Sequence, residues 1–332
     1  MPARSSLCLA LVAGLCLPSA LAWTATYELT DGEVEEILDR DGAPHSYSGT
    51  DLAPDVYTLD ADLQNAALPD AALEDAVLEE ANLQSADLSR ADLDFGDLFG
   101  ANLTNAILDA ASLGTAFLND CDLEGASLVG ANLNDADFAP FDGSTQLKDA
   151  NFTDALMARG YLDYVNAHGT NFTRADLHEA TLFSGDFRSA NFTDALMALG
   201  YLGYVKAHDT NFTRADLREA TLFSGEFRSA NFTDADLTGV DGVLADFRSA
   251  TVTGADFSAA DLAEATNLGT TTGAAYYDDL TSFDYTGFDP VAAGWILSPE
   301  PGAALLAVAM LMALGGHARR RQRSLILRDI RG

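Results

Sequence analysis

From Leu147 to Leu262 every fifth residue is, with few exceptions, Leu, Phe or Met, and the residue two places before it is nearly always small. A period of five fits neither an isolated helix, which repeats about every 3.6 residues, nor a strand, which repeats every two. It does fit a square coil. Each side is one pentad, twenty residues close a turn, the small and large residues point inward, and the other three face water. Within this stretch, residues 151–190 and 191–230 are tandem copies that differ at six of forty positions, and a third copy begins at Asn231. Forty is eight pentads, so the duplication keeps the beat.

Columns of residues twenty apart test the length of the coil. Phe152, Phe172, Phe192, Phe212 and Phe232 form one column, and Leu162, Leu182, Leu202 and Leu222 another. A third reads Ala167, Phe187, Ala207, Phe227, alternating small and large as stacked interior layers do when volume is conserved. An outward column reads Asp154, Arg174, Asp194, Arg214, Asp234. Coils stacked at an inter-strand spacing of about 4.8 Å bring these opposite charges together and keep like charges apart.

The pentads Ala81-Asn82-Leu83-Gln84-Ser85 and Ala175-Asp176-Leu177-His178-Glu179 give the pattern in full: a small residue, Asp or Asn, Leu or Phe, then two polar or small residues. In this the chain resembles the pentapeptide-repeat proteins. The resemblance implies an all-β fold, a right-handed quadrilateral β-helix. It is specific for fold and nearly silent on function.

The flanks divide the rest of the chain. Residues 1–22 read as a secretory signal peptide, with Arg4, an apolar run from Leu7 to Leu17, and the small-x-small cleavage site Ala20-Leu21-Ala22. Cys8 and Cys16 leave with it, so Cys121, in an inward small-residue slot, has no disulfide partner. Residues 23–60 lack the beat and are expected to form an N-terminal cap. Within them Thr30 and Glu33 make a capping box for a short helix running to Arg40. The first repeat block covers residues 61–138 and the second 147–264. Between them, residues 139–146 form a register-breaking loop: Phe138 to Leu147 is nine residues where ten would keep the beat, so one residue is expected to be missing from a turn. The pentads add up to a rod on the order of 48 Å long. Residues 265–297 carry Tyr276, Tyr277, Phe283, Tyr285, Phe288 and Trp295, an aromatic C-terminal cap.

Residues 298–323 hold Ser298-Pro299-Glu300-Pro301, an apolar run from Gly302 to Gly316, and Arg319, Arg320 and Arg321; residues 324–332 are a basic tail. This order resembles the PEP-CTERM sorting signals of Gram-negative bacteria that make exopolysaccharide. The resemblance implies an exosortase-like processing enzyme as partner, and the apolar run is expected as a short hydrophobic helix. The arginines place that end in the cytoplasm and the repeat body outside. The run is short for a permanent span, so the anchor at the inner membrane is either transient or retained.

With 51 acidic against 18 basic side chains the net charge is −33, which excludes nucleic acid as a direct ligand. No nucleophile with a base and an orienting partner can be assembled, which points away from an enzyme. No cofactor motif, calcium loop or metal-ligand spacing is present. His168 and His208 share an outward column with Arg188, Arg228 and Arg248 and read as a solvated ladder. The Asn-Phe-Thr sequons at Asn151, Asn171, Asn191, Asn211 and Asn231 read as the polar position beside the Phe column. One surface feature departs from the repeat pattern: Tyr161, Tyr164, Tyr201 and Tyr204 lie at outward positions, two per copy, as candidate binding residues. The reading is an exported, rod-shaped structural or interaction protein of the cell envelope or exopolysaccharide matrix, facing the periplasm, outer surface or extracellular matrix. Its expected partners are exopolysaccharide or envelope proteins. Two alternatives stand beside it: an acidic DNA-mimic rod that binds a DNA-processing enzyme, and a carbohydrate-binding module using the tyrosines.

Overall fold

The computed structural model describes residues 26–29, 34–39, 43, 52–141 and 145–298. Each pentad does the same work. In Asn171-Phe172-Thr173-Arg174-Ala175, Asn171 bridges to the coils on either side, Phe172 is buried, Thr173 and Arg174 make the corner, and Ala175 is buried again. Arg174 adopts a left-handed φ of 57°, and the turn closes with the Ala175 N–H donating to the Phe172 carbonyl at 3.0 Å. A left-handed residue other than glycine costs on the order of 1–2 kcal/mol. That cost is met locally, because the freed Arg174 N–H donates to the Thr193 carbonyl one coil on, at 2.9 Å. The side chains obey the same constraint. Among the described residues, Thr115 is the only β-branched residue at a left-handed corner.

Four corners close a coil. Parallel bridges run i to i+20 along four columns, among them Asn151–Asn171–Asn191, Asp176–Leu196, Tyr161–Thr181–Tyr201 and Asn166–Asp186–Lys206. The ladder bonds point along the stack, so the Phe172 N–H donates to the Asn191 carbonyl at 2.7 Å while the Asn171 N–H donates to the Ala150 carbonyl at 2.9 Å. The interior is the two inward columns per face. In the Phe column successive rings stack at 5.1, 4.8, 5.2 and 4.9 Å from Phe152 to Phe232, nearly parallel after the first pair. Phe187 and Phe227 interleave with that column edge-on or tilted. They have room because Gly185 and Gly225 precede them: a Cβ at Gly185 would lie 2.4 Å from the Phe187 ring. The outward charges pair as their column predicts. Arg174 grips Asp154, and Arg214 grips Asp194, each through two bonds of 2.6 Å. These arginines hold both carboxyls below the usual aspartate range.

At the loop after Phe138, bridges run Asp122–Gln146, Ser127–Asn151, Asn132–Leu156 and Asp137–Tyr161, each 24 residues apart. The coil has therefore gained four residues at one corner and has not lost one. The ladder passes through on every face, and the two repeat blocks form one stack.

The short N-terminal helix is corrected to strands. Strand β1 (Thr26–Glu28) pairs antiparallel with β2 (Val34–Glu36), and β3 (Leu38–Asp39) pairs antiparallel with β4 (Ala66–Ala67). Tyr27 also bridges Leu52, Leu29 bridges Ala71, and Tyr27 and Ile37 are buried. The first coil presents an open row of backbone donors and acceptors, which strands can satisfy and a helix cannot. At the other end the ladder runs on past Leu262 to Ser282. Beyond it, β5 (Tyr276–Tyr277) pairs in parallel with β6 (Ile296–Leu297). Trp295 stacks on Phe257 at 5.1 Å and meets Phe283 and Phe288, closing the core, while Tyr285 stands in solvent. The expected C-terminal hydrophobic helix lies outside the described residues. Among those described, no helix is long and apolar enough to cross a membrane.

Candidate functional site: an aromatic face

The consensus Asp or Asn has a structural job. Its side chain caps the turn that follows, as when Asp137 Oδ1 accepts from the Ala139 N–H at 2.9 Å, or Asp261 Oδ1 from the Ala263 N–H at 3.0 Å. In the sequons the amide is fully used. Asn191 Nδ2 donates to Thr173 Oγ1 at 2.9 Å, and Asn191 Oδ1 accepts from the Thr193 N–H at 3.1 Å. Three of the four faces carry Asp or Asn at more than half of their bridging positions.

The fourth face is different. Its bridging column reads Tyr57, Val77, Asp97, Phe117, Asp137, Tyr161, Thr181, Tyr201, Thr221, Asp241, Asp261. Tyr161 and Tyr201 replace the capping residue and point outward, 50% and 41% exposed, and Tyr164 and Tyr204 stand at the adjoining left-handed corners, 56% and 49% exposed. The structure thus brings all four tyrosines onto one side, on coils two apart.

They are not isolated. The Phe183 ring lies between the pairs, edge-on to Tyr164 and Tyr204 at 5.5 Å and stacked on Tyr201 at 5.7 Å, and Phe223 continues the series edge-on to Tyr204 at 5.5 Å. Gly203 makes this possible, since a Cβ there would come within 3.4 Å of both the Tyr201 and Phe183 rings. Each pentad alone shows Phe183 and Phe223 as ordinary corner residues; the column Asp163, Phe183, Gly203, Phe223 is the sequence signal that marks them. Neighbouring rings hold Tyr164, Tyr201 and Tyr204 in place, so this part of the strip is a braced surface whose outer ring edges and hydroxyls meet water.

Three members of the histidine and arginine column, Arg188, His208 and Arg228, are tied to neighbouring carboxylates. His208 Nε2 lies 2.7 Å from Glu226 Oε2, Arg188 grips Asp186 at 2.8 and 2.6 Å, and Arg228 donates to Asp246 at 2.8 Å. Among the described residues no group of three His, Cys, Asp or Glu side chains converges as a metal site. Cys121 is buried, its thiol donating to the Leu98 carbonyl at 2.8 Å, and burial pushes its pKa far above the ordinary thiol range. The cleavage-site residues Ala20 and Ala22 and the sorting residues Pro299, Glu300, Pro301, Arg319, Arg320 and Arg321 lie outside the described residues.

A family model for pentapeptide repeats matches eight copies, over residues 60–94, 97–138, 145–184, 161–197 and 226–263, half of the chain in all. The chain belongs to the pentapeptide-repeat family. Among solved pentapeptide-repeat structures, HetL from the cyanobacterium Nostoc sp. strain PCC 7120, involved in heterocyst differentiation regulation, is 26% identical; the match covers 66% of this chain and 89% of HetL, with a TM-score of 0.39. Trypsin-treated QnrB1, a plasmid-mediated fluoroquinolone resistance protein, is 19% identical over 69% of this chain and 95% of its own, with a TM-score of 0.25. A thylakoid-lumen pentapeptide-repeat protein from Arabidopsis thaliana is 24% identical over 38% of this chain and 72% of its own, with a TM-score of 0.20. No curated protein matches the chain. The pentapeptide-repeat fold is a structural and interaction scaffold.

Proposed function

We propose that the protein is an exported, non-enzymatic rod that serves as a structural and interaction component of the cell envelope or exopolysaccharide matrix. The observation that carries this reading is the aromatic face around Phe183, which gives one side of the ladder a contact surface. Its export rests on the signal-like residues 1–22 and the Pro299-Glu300-Pro301 segment with its following arginines. Cell fractionation with intact-mass measurement tests the proposal. A chain beginning at Trp23, lacking Arg331, and found in envelope or medium is the expected result. A cytoplasmic chain of full mass would overturn it.

The ring geometry favours one class of ligand for the face, carbohydrate. Tyr161 and Tyr201 are two coils apart, about 10 Å at the observed ring spacing of 4.8–5.2 Å. That is comparable to a disaccharide repeat, so one extended glycan running along the axis meets successive tyrosine pairs, and its weak contacts add. Changing Tyr161, Tyr164, Tyr201 and Tyr204 together to Ser should weaken polysaccharide pull-down several-fold with the β-sheet circular dichroism intact. Unchanged pull-down by the folded variant would reduce the four rings to packing.

A further inference from the structure

On the same face, one to four coils before Tyr161, the four-residue insertion helps to build a second feature. Phe141 is held against the rod: its N–H donates to Asp120 Oδ2 at 3.4 Å, and Asn119 Nδ2 donates to the Ala139 carbonyl at 2.6 Å. Its ring lies 6.0 Å from that of Phe99, tilted by 56°. With the half-exposed ring of Phe117, these side chains and Glu79, Asp97 and Asn119 line an open pocket of about 290 Å³. That is near the lower end of small-ligand sites, roughly 300–1,000 Å³.

The chemistry of the lining is specific. Three phenyl rings offer apolar, electron-rich faces and no hydrogen-bonding group. Beside them two carboxylates stand close enough to disturb each other: desolvation and the Asp97 carboxylate push Glu79 above the ordinary glutamate range, and Glu80 adds further negative charge. No Lys or Arg is among the lining residues to relieve that repulsion. A bare metal ion finds only two carboxylates and a wall of rings. An anion is repelled, and a neutral sugar leaves the acid pair uncompensated.

We infer that this pocket binds an organic ammonium cation of about the size of choline, its charge against Glu79 and Asp97 and its methyl or methylene groups against Phe99, Phe117 and Phe141. The inference is independent of the polysaccharide reading, since it uses different residues and holds wherever the protein resides.

Two substitutions isolate the site without disturbing the fold. Phe117→Leu places on the bridging column a residue already tolerated at the outward bridging positions of Leu156 and Leu196. Asp97→Asn keeps the turn cap, as Asn102 does for the Thr104 N–H at 3.1 Å. The test is calorimetric titration of the full chain with choline chloride, with its neutral isostere 3,3-dimethylbutan-1-ol, and with choline in the presence of excess potassium chloride. The expected result is saturable choline binding in the millimolar range, binding of the isostere at least tenfold weaker, and little displacement by potassium. Phe117→Leu should weaken choline binding roughly two- to thirtyfold, the range of one cation–ring contact. Asp97→Asn should weaken it at least tenfold. No saturable binding, equal binding of the neutral isostere, full displacement by potassium, or unchanged affinity in the two folded variants would each overturn the inference.

Discussion

A corner residue and a bridging residue carry most of the local logic. The corner takes a left-handed φ and gives its N–H to the next coil; the bridging Asp or Asn accepts the N–H two places on and, where it is Asn, also bonds its counterpart one coil away. The inward position beside the bridge lies in a dry, closely packed interior. Phe192 is buried between Phe172 and Phe212, with centroids 4.8 and 5.2 Å away. Phe192→Asp should destabilise by several kcal/mol, because it combines a lost ring with an unpaired buried charge. Asn191→Asp keeps the turn-capping oxygen but loses the donor to Thr173, which should cost about 1 kcal/mol. Thermal or urea unfolding of the two variants checks the contrast; equal losses would mean that inward and outward are misassigned.

Elements show where sequence reasoning succeeds and where it stops. The coil was legible because burial imposes the same demand on every pentad, so forty repetitions state one rule. The corner at 139–144 was not, for an arithmetical reason: modulo five, one residue lost and four residues gained look identical. Only the bridge from Asp137 to Tyr161 decides between them. The N-terminal hairpin was hidden for another reason. Its capping-box signal is local, whereas its strands exist because the first coil has an open edge. The aromatic face was half visible, as four tyrosines without the Phe183 and Phe223 that brace them. The insertion gives a direct prediction. Removing residues 140–143 leaves Ala139 and Ser144 as an ordinary two-residue corner before Thr145, with Ser at the left-handed position it already occupies at Ser184 and Ser224. That deletion should leave the melting temperature within a few degrees of the parent while removing Phe141. A collapse of the fold would show that the insertion is structurally required.

At the scale of the molecule, stability comes from stacking alone: each buried Leu or Phe contributes roughly 1.5–3 kcal/mol of gross transfer free energy, repeated up the rod. Polar faces and a net charge of −33 keep such a rod soluble, and paired charges are spaced along it so that opposite signs meet between coils. The aromatic side is then a contrast on a largely polar rod, and it gives the stack a contact surface.

Everything above depends on twenty residues advancing the chain by one coil. Spin labels at Asp154 and Asp234 measure this directly, since the two positions lie in one corner column, eighty residues and four coils apart, both left-handed. With Cys8 and Cys16 changed to Ser, buried Cys121 does not compete for the label. With coils 4.8–5.2 Å apart, the account predicts a narrow inter-label distance centred at about 20 Å by electron-electron double resonance. A broad distribution, or one centred well away from that value, would contradict the twenty-residue coil.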